Sequence, residues 1–177
     1  MDGEIYFTID LDDPSDGKLL AGQLIRFLKA NLPAFANSSD PIYPACPGIR
    51  ETYRWLGQYA LTEDDLLTGR EFPDTVAKAT WPIELRETTC GPKLRYFNQG
   101  ESSNIPLRSL TSPEIPGVYF AGRCISATHE ALASVRVIGT CFATGQAAGL
   151  AASLFSQGLS KSTEQSKFIR QFIGVFA

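Results

Sequence analysis

One stretch rich in small residues limits what this chain can fold into. Residues 121–152, AGRCISATHEALASVRVIGTCFATGQAAGLAA, combine many Gly, Ala, Ser and Thr residues with few charges. Polar and charged residues interrupt the stretch, which argues against a membrane-spanning segment. Gly139, Ala143 and Ala147 are spaced four apart and predict a helix face without bulk. Such a face suits either close approach of a flat ligand or tight packing of the helix on a sheet.

The remaining sequence mixes strand and helix patterns, which predicts an α+β fold. Strand character covers residues 3–11, 49–61, 74–85, 93–98 and 117–123. Leu20, Leu24, Phe27 and Leu28 are helically spaced after Asp and Ser residues that suit a helix start, and Asn31 and Pro33 mark the end of that helix. TEDDLLTG (62–69) predicts a short helix, because Thr62 can cap it, acids fill its first turn and Gly69 can end it. Two further helices are predicted over 134–157 and 159–176. A shift in composition near residue 100 predicts a β-rich region with helices over 1–104 and a strand–loop–helix unit over 105–177. The aromatic residues expected in the core of the β-rich region are Tyr53, Trp55, Tyr59 and Trp81.

Composition excludes several classes of partner. The net charge is −3 and the basic residues are scattered, which argues against binding to nucleic acid or to an anionic membrane surface. The chain has one histidine and four widely spaced cysteines, so a zinc site is not expected. The start of the chain lacks the features of a signal peptide, and we expect free thiols in a reducing cytoplasm.

Two segments carry a resemblance to a known family. Residues 105–152, from IPLRSLTSPEIPGVYFAGRC through GQAAGLAA, resemble the C-terminal flavin-contacting segment of FAD-dependent oxidoreductases distantly similar to fumarate reductase flavoproteins. Residues 49–85, IRETYRWLGQYALTEDDLLTGREFPDTVAKATWPIEL, resemble the substrate side of the same family. The resemblance implies a substrate-side, cap-like region over 1–104, and a C-terminal part of an FAD-binding domain over 105–177.

The resemblance also implies a cofactor site. Gly122 and Arg123, at the end of the predicted strand, would lie beside the ribityl chain and pyrophosphate of FAD. Backbone N–H groups of Arg136, Val137 and Ile138 would face the pyrimidine edge of the flavin. That edge gains negative charge on reduction, and N–H groups aimed at it would stabilise the charge.

Catalytic and substrate residues follow from the same resemblance. His129, in a loop beside the expected flavin edge, is the candidate acid or base, and Arg108 is the candidate to support hydride transfer. Arg50 and Arg54 are candidates to clamp the carboxylate of a small-molecule substrate. Surface salt bridges to Glu51, Asp64 or Asp65 explain each arginine as well. No metal is expected.

The sequence departs from the family in one respect. The family begins with a Rossmann unit carrying GxGxxG, which holds the ADP part of FAD, and this sequence contains no such motif. The chain is therefore expected to be the C-terminal portion of a flavin-dependent oxidoreductase, incomplete or inactive by itself. A Rossmann-containing partner chain or a homo-oligomer would complete it. The alternative is a non-enzymatic interaction module that self-associates or completes a partner subunit.

Overall fold

The structure is a computed structural model. It describes residues 5–7, 9, 11, 13–46, 48–49, 51–86, 91–98, 100 and 102–173. Two compact units share the chain. The first comprises residues 1–50 and 88–90, and the second comprises residues 51–87 and 91–177. The predicted assignment of separate roles to 1–104 and 105–177 stays a prediction.

The first unit is built around one helix. α1 spans Gly17–Asn31, as the sequence predicts, and short 3-10 turns lie on either side at Pro14–Asp16 and Pro33–Phe35. Leu28 is its buried residue. The strand predicted over 3–11 is absent from the described residues of that range. A strand needs a hydrogen-bonded neighbour. The described part of this unit contains no other stretch of extended chain paired with these residues.

The second unit contains two small antiparallel sheets. β1, Thr75–Ala79, pairs with β4, Ser103–Pro106. β2, Ile83–Leu85, pairs with β3, Lys93–Arg95, and Ile83 lies opposite Arg95. The single strand predicted over 74–85 is thus two strands in different sheets, and β4 begins in residues expected to be loop.

Four helices surround these sheets in the described part of the second unit. They are α2, Glu63–Thr68; α3, His129–Val135; α4, Ile138–Ser156; and α5, Ser162–Ile173. β1 packs against α4 and α5, β2 against α3, and β4 against α2. This mixture of helices and antiparallel strands confirms the α+β class. The largest fully buried apolar side chains are Leu61, Leu66, Val76, Ile83, Ile105, Leu107, Leu110, Ile125, Leu132, Val135 and Ile169.

α2 shows why local signals predict helix ends well. The Thr62 side chain accepts a hydrogen bond from the Asp65 backbone N–H, and the Asp65 side chain accepts one from the Thr62 backbone N–H. Gly69 ends the helix in the left-handed conformation, with φ of 66°. The helix predicted over 62–69 is therefore confirmed, with its cap and its terminating glycine.

The helix predicted over 134–157 is interrupted at its start. α3 ends at Val135, and Val137 is extended with φ of −69° and ψ of 152° before α4 begins. α4 is long and apolar enough to cross a membrane by length and composition alone, a test that core helices of soluble proteins also pass. Its inner face packs in the core through Thr140, Thr144, Ala147 and Ala151.

The strand predicted over 117–123 is wrong. Tyr119 forms a single antiparallel bridge with Thr111, and residues 122–124 form a 3-10 turn. Neither of the two sheets in the described part of the chain includes residues 117–123, and both sheets are antiparallel and two-stranded.

The strand predicted over 49–61 is also wrong for the residues described. Its backbone N–H groups donate to carbonyls in two other stretches of the chain: Trp55 to Cys124 and Leu61 to Ser126 in one, Gln58 to Thr111 and Tyr59 to Arg108 in the other. One further bond, from the Thr128 N–H to the Leu61 carbonyl, completes an isolated parallel bridge between Leu61 and Ala127. We call residues 51–61 the pinned segment, because these two stretches fix its backbone in place.

The aromatic residues expected in the core lie mostly at the surface. Tyr53 is 93% exposed, Trp55 59% and Trp81 46%. Trp55 stacks on Phe120 with parallel rings 5.0 Å apart, and Tyr59 packs edge-on against Phe72. Because the pinned segment does not join a sheet, most of its aromatic side chains have no buried sheet face to pack against.

Gly57 in the pinned segment is predicted to be sensitive to a single methyl group. A Cβ there would lie 2.8 Å from Ser126 Cβ and 2.9 Å from the Arg108 carbonyl oxygen. Gly57→Ala is therefore expected to destabilise the protein by about 1–3 kcal/mol, the usual cost of overpacking. Urea unfolding followed by circular dichroism measures the change.

A second glycine provides the control for Gly57. Gly145 lies in α4 with open space where its Cβ would be. Gly145→Ala should be neutral or stabilise by up to about 1 kcal/mol, because alanine favours helix. Equal unfolding midpoints for Gly57→Ala and Gly145→Ala would contradict the close approach at Gly57.

Candidate functional site

An open cleft lies at the start of α4. Its volume is about 410 Å³, and it is lined by Arg123, Arg136, Ile138, Cys141 and Phe142. Three of the predicted cofactor residues therefore border one concave surface, although the predicted strand before them is absent. Cys141 and Phe142 were not predicted. They lie on the first turn of α4, and locating the start of this helix correctly would have pointed to them.

A tight turn holds Arg123 at the cleft. Gly122 opens the turn with φ of +64°, a left-handed conformation that favours glycine. The Gly122 backbone N–H donates to Thr144 Oγ1 on α4 at 3.1 Å. A Cβ at Gly122 would lie 3.5 Å from Cys141 Sγ, an ordinary contact. The backbone conformation, rather than lack of space, is therefore what calls for glycine here.

The junction between α3 and α4 forms another side of the cleft. The Arg136 N–H donates to the Leu132 carbonyl at the end of α3, so Arg136 contributes its side chain to the cleft rather than its backbone N–H. Arg136 Nη2 donates to the Glu84 carbonyl at 3.3 Å. No side chain caps the first turn of α4. Within the described residues, the N–H groups of Val137 and Ile138 have no hydrogen-bond acceptor.

The electrostatics of the cleft favour an anion. A helix N-terminus carries a partial positive charge, and here two guanidinium groups border the same space. Burial raises the pKa of the Cys141 thiol, and the charge of Arg123 opposes that rise only in part. Cys141 is therefore a neutral thiol at pH 7, and its Sγ donates to the Arg136 carbonyl at 3.3 Å. The Cys141 thiol therefore adds no negative charge to the cleft.

The apolar side chains that line the cleft are largely exposed. Ile138 is 76% exposed and Phe142 is 75% exposed. Positive groups and uncapped N–H groups beside an exposed apolar surface suit a flat ligand with an anionic or carbonyl-rich edge. In the described part of the chain, no three His, Cys, Asp or Glu side chains come close enough to hold a metal ion.

Comparison with known families assigns the chain to one of them. The profile of the FAD dependent oxidoreductase family matches residues 9–164. The chain belongs to the FAD dependent oxidoreductase family. No curated protein and no solved structure gives a significant match. The family assignment makes this chain a flavin-dependent oxidoreductase in general terms.

The cleft fits part of the FAD of this family. The pyrimidine edge of a flavin carries carbonyl oxygens and becomes anionic on reduction, and the pyrophosphate of FAD is anionic throughout. Either group matches the two arginines and the uncapped first turn of α4. The exposed Ile138 and Phe142 side chains match an aromatic ring system.

Arg108 forms an ion pair with Asp74, away from the residues that line the cleft. Its Nε and Nη2 donate to the two oxygens of Asp74 at 3.0 and 3.2 Å, and its backbone N–H donates to the same carboxylate. The Asp74 side chain is fully buried. The guanidinium also lies over the Tyr59 ring, 5.4 Å from its centroid. Arg108 is not among the described residues that line the cleft.

His129 and Arg54 both contact the carboxylate of Glu51. His129 Nδ1 lies 2.7 Å from Glu51 Oε2, and Arg54 Nη1 lies 2.6 Å from Glu51 Oε1. The Arg54 contact is a close ion pair without hydrogen-bond geometry. Thr128 caps α3 by accepting from the Ala131 N–H. Sequence reasoning had named Glu51 only as a surface partner for arginines, and Arg50 lies outside the described residues.

Proposed function

We propose that the cleft at the start of α4 binds the flavin part of FAD during hydride transfer between an organic substrate and the cofactor. The observation that carries the proposal is the convergence of Arg123, Arg136 and the uncapped first turn of α4 on one open cleft. The flavin, when bound, supplies the hydride chemistry. The chain supplies positive charge and N–H groups at the edge where negative charge develops.

A titration with FAD tests this proposal. Flavin absorption is measured for the purified chain and for the chain co-expressed with the upstream genomic neighbour. Bound flavin in the chain alone would mean that the cleft suffices for binding. Bound flavin only on co-expression would mean that a partner holding the nucleotide half is required. Absence of bound flavin from both samples would contradict the proposal.

Reversing one charge at the cleft should weaken FAD binding. Arg123→Glu is expected to raise the Kd about 10-fold to 100-fold, since a hydrogen bond to a charged group contributes about 1.5–3 kcal/mol. Fluorescence quenching of the flavin measures the Kd. Lys167→Glu makes the same change in net charge at an exposed position of α5 and should leave the Kd unchanged. Equal effects of the two variants would point to net charge rather than the cleft.

A larger side chain at the start of α4 should block flavin binding without lowering the stability of the fold. Gly139 has open space where its Cβ would be, so Gly139→Leu should preserve or slightly raise stability. A leucine there would fill the surface that the flavin is proposed to approach, and FAD binding should be lost. Gly149, about 15 Å further along the helix, also has open space and supplies the control Gly149→Leu. Unchanged FAD binding in Gly139→Leu would remove the argument for close approach.

The exposed start of α4 also supports a second candidate function. Ile138 and Phe142 together present bare apolar surface at one end of the helix. In a non-enzymatic interaction module, a second copy or a partner subunit would cover these side chains. Analytical ultracentrifugation separates the two functions. Self-association that Phe142→Ser abolishes, together with absence of flavin binding, would favour the module.

Several parts of the proposal concern the wider setting of the chain. We also propose that the chain acts on a small-molecule substrate and that it is located in the cytoplasm. A Rossmann-containing partner chain or a homo-oligomer would complete it. Clamping of a substrate carboxylate by Arg50 and Arg54 belongs here as well. The ion pair between Arg54 and Glu51 favours, for Arg54, the salt-bridge alternative.

A further inference from the structure

We propose that Glu51 is a positioning residue that holds His129 in the tautomer with the proton on Nδ1. His129 is the only histidine of the chain and the candidate acid or base of the proposed reaction. The tautomer itself follows from the geometry around Glu51. Its use in catalysis rests on the proposed function.

The contact joins distant parts of the sequence. Glu51 and His129 are 78 residues apart, and Glu51 Oε2 lies 2.7 Å from His129 Nδ1. The pinned segment carries Glu51, and its Trp55 N–H donates to the Cys124 carbonyl at 3.1 Å, next to the turn that holds Arg123. On the other side, Thr128 fixes the start of α3 immediately before the histidine. Backbone contacts near Glu51 and a helix cap beside His129 thus hold the two segments that carry the pair.

Arg54 fixes the carboxylate from its other side. Arg54 Nη1 lies 2.6 Å from Glu51 Oε1, so each oxygen of the carboxylate has a different neighbour. The Glu51 side chain is only 20% exposed. An ionised carboxylate accepts hydrogen bonds and donates none, so the proton of the contact must be on Nδ1. The neutral ring then has its lone pair on Nε2.

This tautomer gives His129 a defined chemical use. Oxidation of a substrate carbon that carries a hydroxyl or amino group removes a hydride and a proton. A bound flavin would supply the acceptor for the hydride and its two electrons, and the carbon would become a carbonyl or an imine carbon. His129 Nε2 accepts the proton from the hydroxyl or amino group and later passes it to water. Glu51 stabilises the imidazolium that forms in between.

Nitrogen NMR tests the tautomer directly. Long-range proton–nitrogen spectra of labelled protein, recorded at high pH with a neutral ring, show which nitrogen carries the proton. With one histidine in the chain, a single set of ring signals is expected. The wild type should show the Nδ1–H tautomer. In Glu51→Ala its population relative to Nε2–H should fall about 10-fold or more, since a hydrogen bond to a charged group contributes at least about 1.5 kcal/mol.

A neighbouring carboxylate supplies the matched control. Glu130 follows His129 in the chain. Hydrogen bonds to its own backbone and to Thr128 lower the pKa of Glu130 most, and the charge of His129 lowers that pKa further. Glu130→Gln removes a similar charge without removing the contact to Nδ1, and the Nδ1–H tautomer should persist. A wild-type ring protonated on Nε2 would overturn the inference whether or not any variant folds. Equal tautomer populations in Glu51→Ala and the wild type would overturn it too.

The test separates this inference from the proposed function, because the spectra need no flavin. If FAD fails to bind and the ring is held as Nδ1–H, the role of Glu51 stands and the flavin proposal fails. If FAD binds and the ring is protonated on Nε2, the reverse holds.

Discussion

Arg108→Ala is expected to lower the free energy of unfolding by about 3 kcal/mol, the usual cost of leaving one member of a buried ion pair unpaired. Asp74 is fully buried, and Arg108 donates to both of its oxygens. Without the guanidinium, the carboxylate keeps one backbone donor, the N–H of residue 108. Urea unfolding followed by circular dichroism measures the loss.

Two comparisons sharpen the Arg108 experiment. Arg95 forms an exposed ion pair with Glu63, so Arg95→Ala should cost less than about 1 kcal/mol. The double variant Arg108→Met with Asp74→Leu removes both charges and should recover most of the lost stability. If Arg108→Ala matches Arg95→Ala in stability, the pair is not structural. Loss of flavin-linked activity without loss of stability would then favour the catalytic role that the resemblance implies.

Asp65→Asn is expected to destabilise the protein by about 2–3 kcal/mol at pH 7, because a buried charged acceptor loses several donors at once. Asp65 is 2% exposed. Its Oδ2 accepts from Tyr59 Oη at 2.7 Å and from the Thr62 backbone N–H at 2.9 Å. Its Oδ1 accepts from Arg70 Nη1 at 3.1 Å. The asparagine amide presents two donors where the carboxylate presents an acceptor.

The effect should depend on pH in a defined direction. Burial raises the pKa of Asp65, but hydrogen bonds from Tyr59, Thr62 and Arg70 outweigh it and hold that pKa below its ordinary value. The carboxylate therefore contributes stability above the pKa of the unfolded chain, about 3.9. That contribution is lost as the pH falls through the lower folded value. The stability gap between wild type and Asp65→Asn should thus narrow below about pH 4.

A neighbouring residue and a spectroscopic signal complete this test. Asp64 is exposed in the same first turn of α2, and Asp64→Asn should cost only about 0.3–1 kcal/mol. Burial, together with the hydrogen bond to Asp65 and its charge, raises the pKa of Tyr59 to about 12. In Asp65→Asn, the phenolate absorbance of Tyr59 should appear at lower pH. Equal stabilities of Asp64→Asn and Asp65→Asn at pH 7 would contradict the network.

Local signals in the sequence predicted the parts of the fold that depend on local contacts. Thr62, the acids of the first turn and Gly69 defined α2 because capping uses residues within one turn of each other. α5 and most of α1 followed from helical periodicity. Thr128 likewise caps α3 through a contact within one turn.

Tertiary contacts decided the parts that the sequence did not predict. At the break between α3 and α4, the Arg136 side chain reaches the Glu84 carbonyl on β2, a contact between residues far apart in the sequence. Strand-like composition in the pinned segment did not produce a strand, because its N–H groups donate to two separate stretches of chain rather than to one neighbouring strand. The cleft residues Arg123, Arg136 and Ile138 were predicted by resemblance, and spacing alone would not have brought Arg123 to the start of α4.

The pinned segment also predicts how the protein opens. Irregular segments at a surface usually exchange their amide hydrogens quickly, but the Tyr59 and Leu61 amides donate to carbonyls of separate loops, and Leu61 is fully buried. Exchange at Leu61 requires its release from Ser126, and the Thr128 amide is released from the Leu61 carbonyl in the same event. The amides of Leu61 and Thr128 should therefore exchange with one common opening free energy, although 67 residues separate them (128 − 61). The segment that carries Glu51 and the start of α3, which carries His129, would then open as a single cooperative unit.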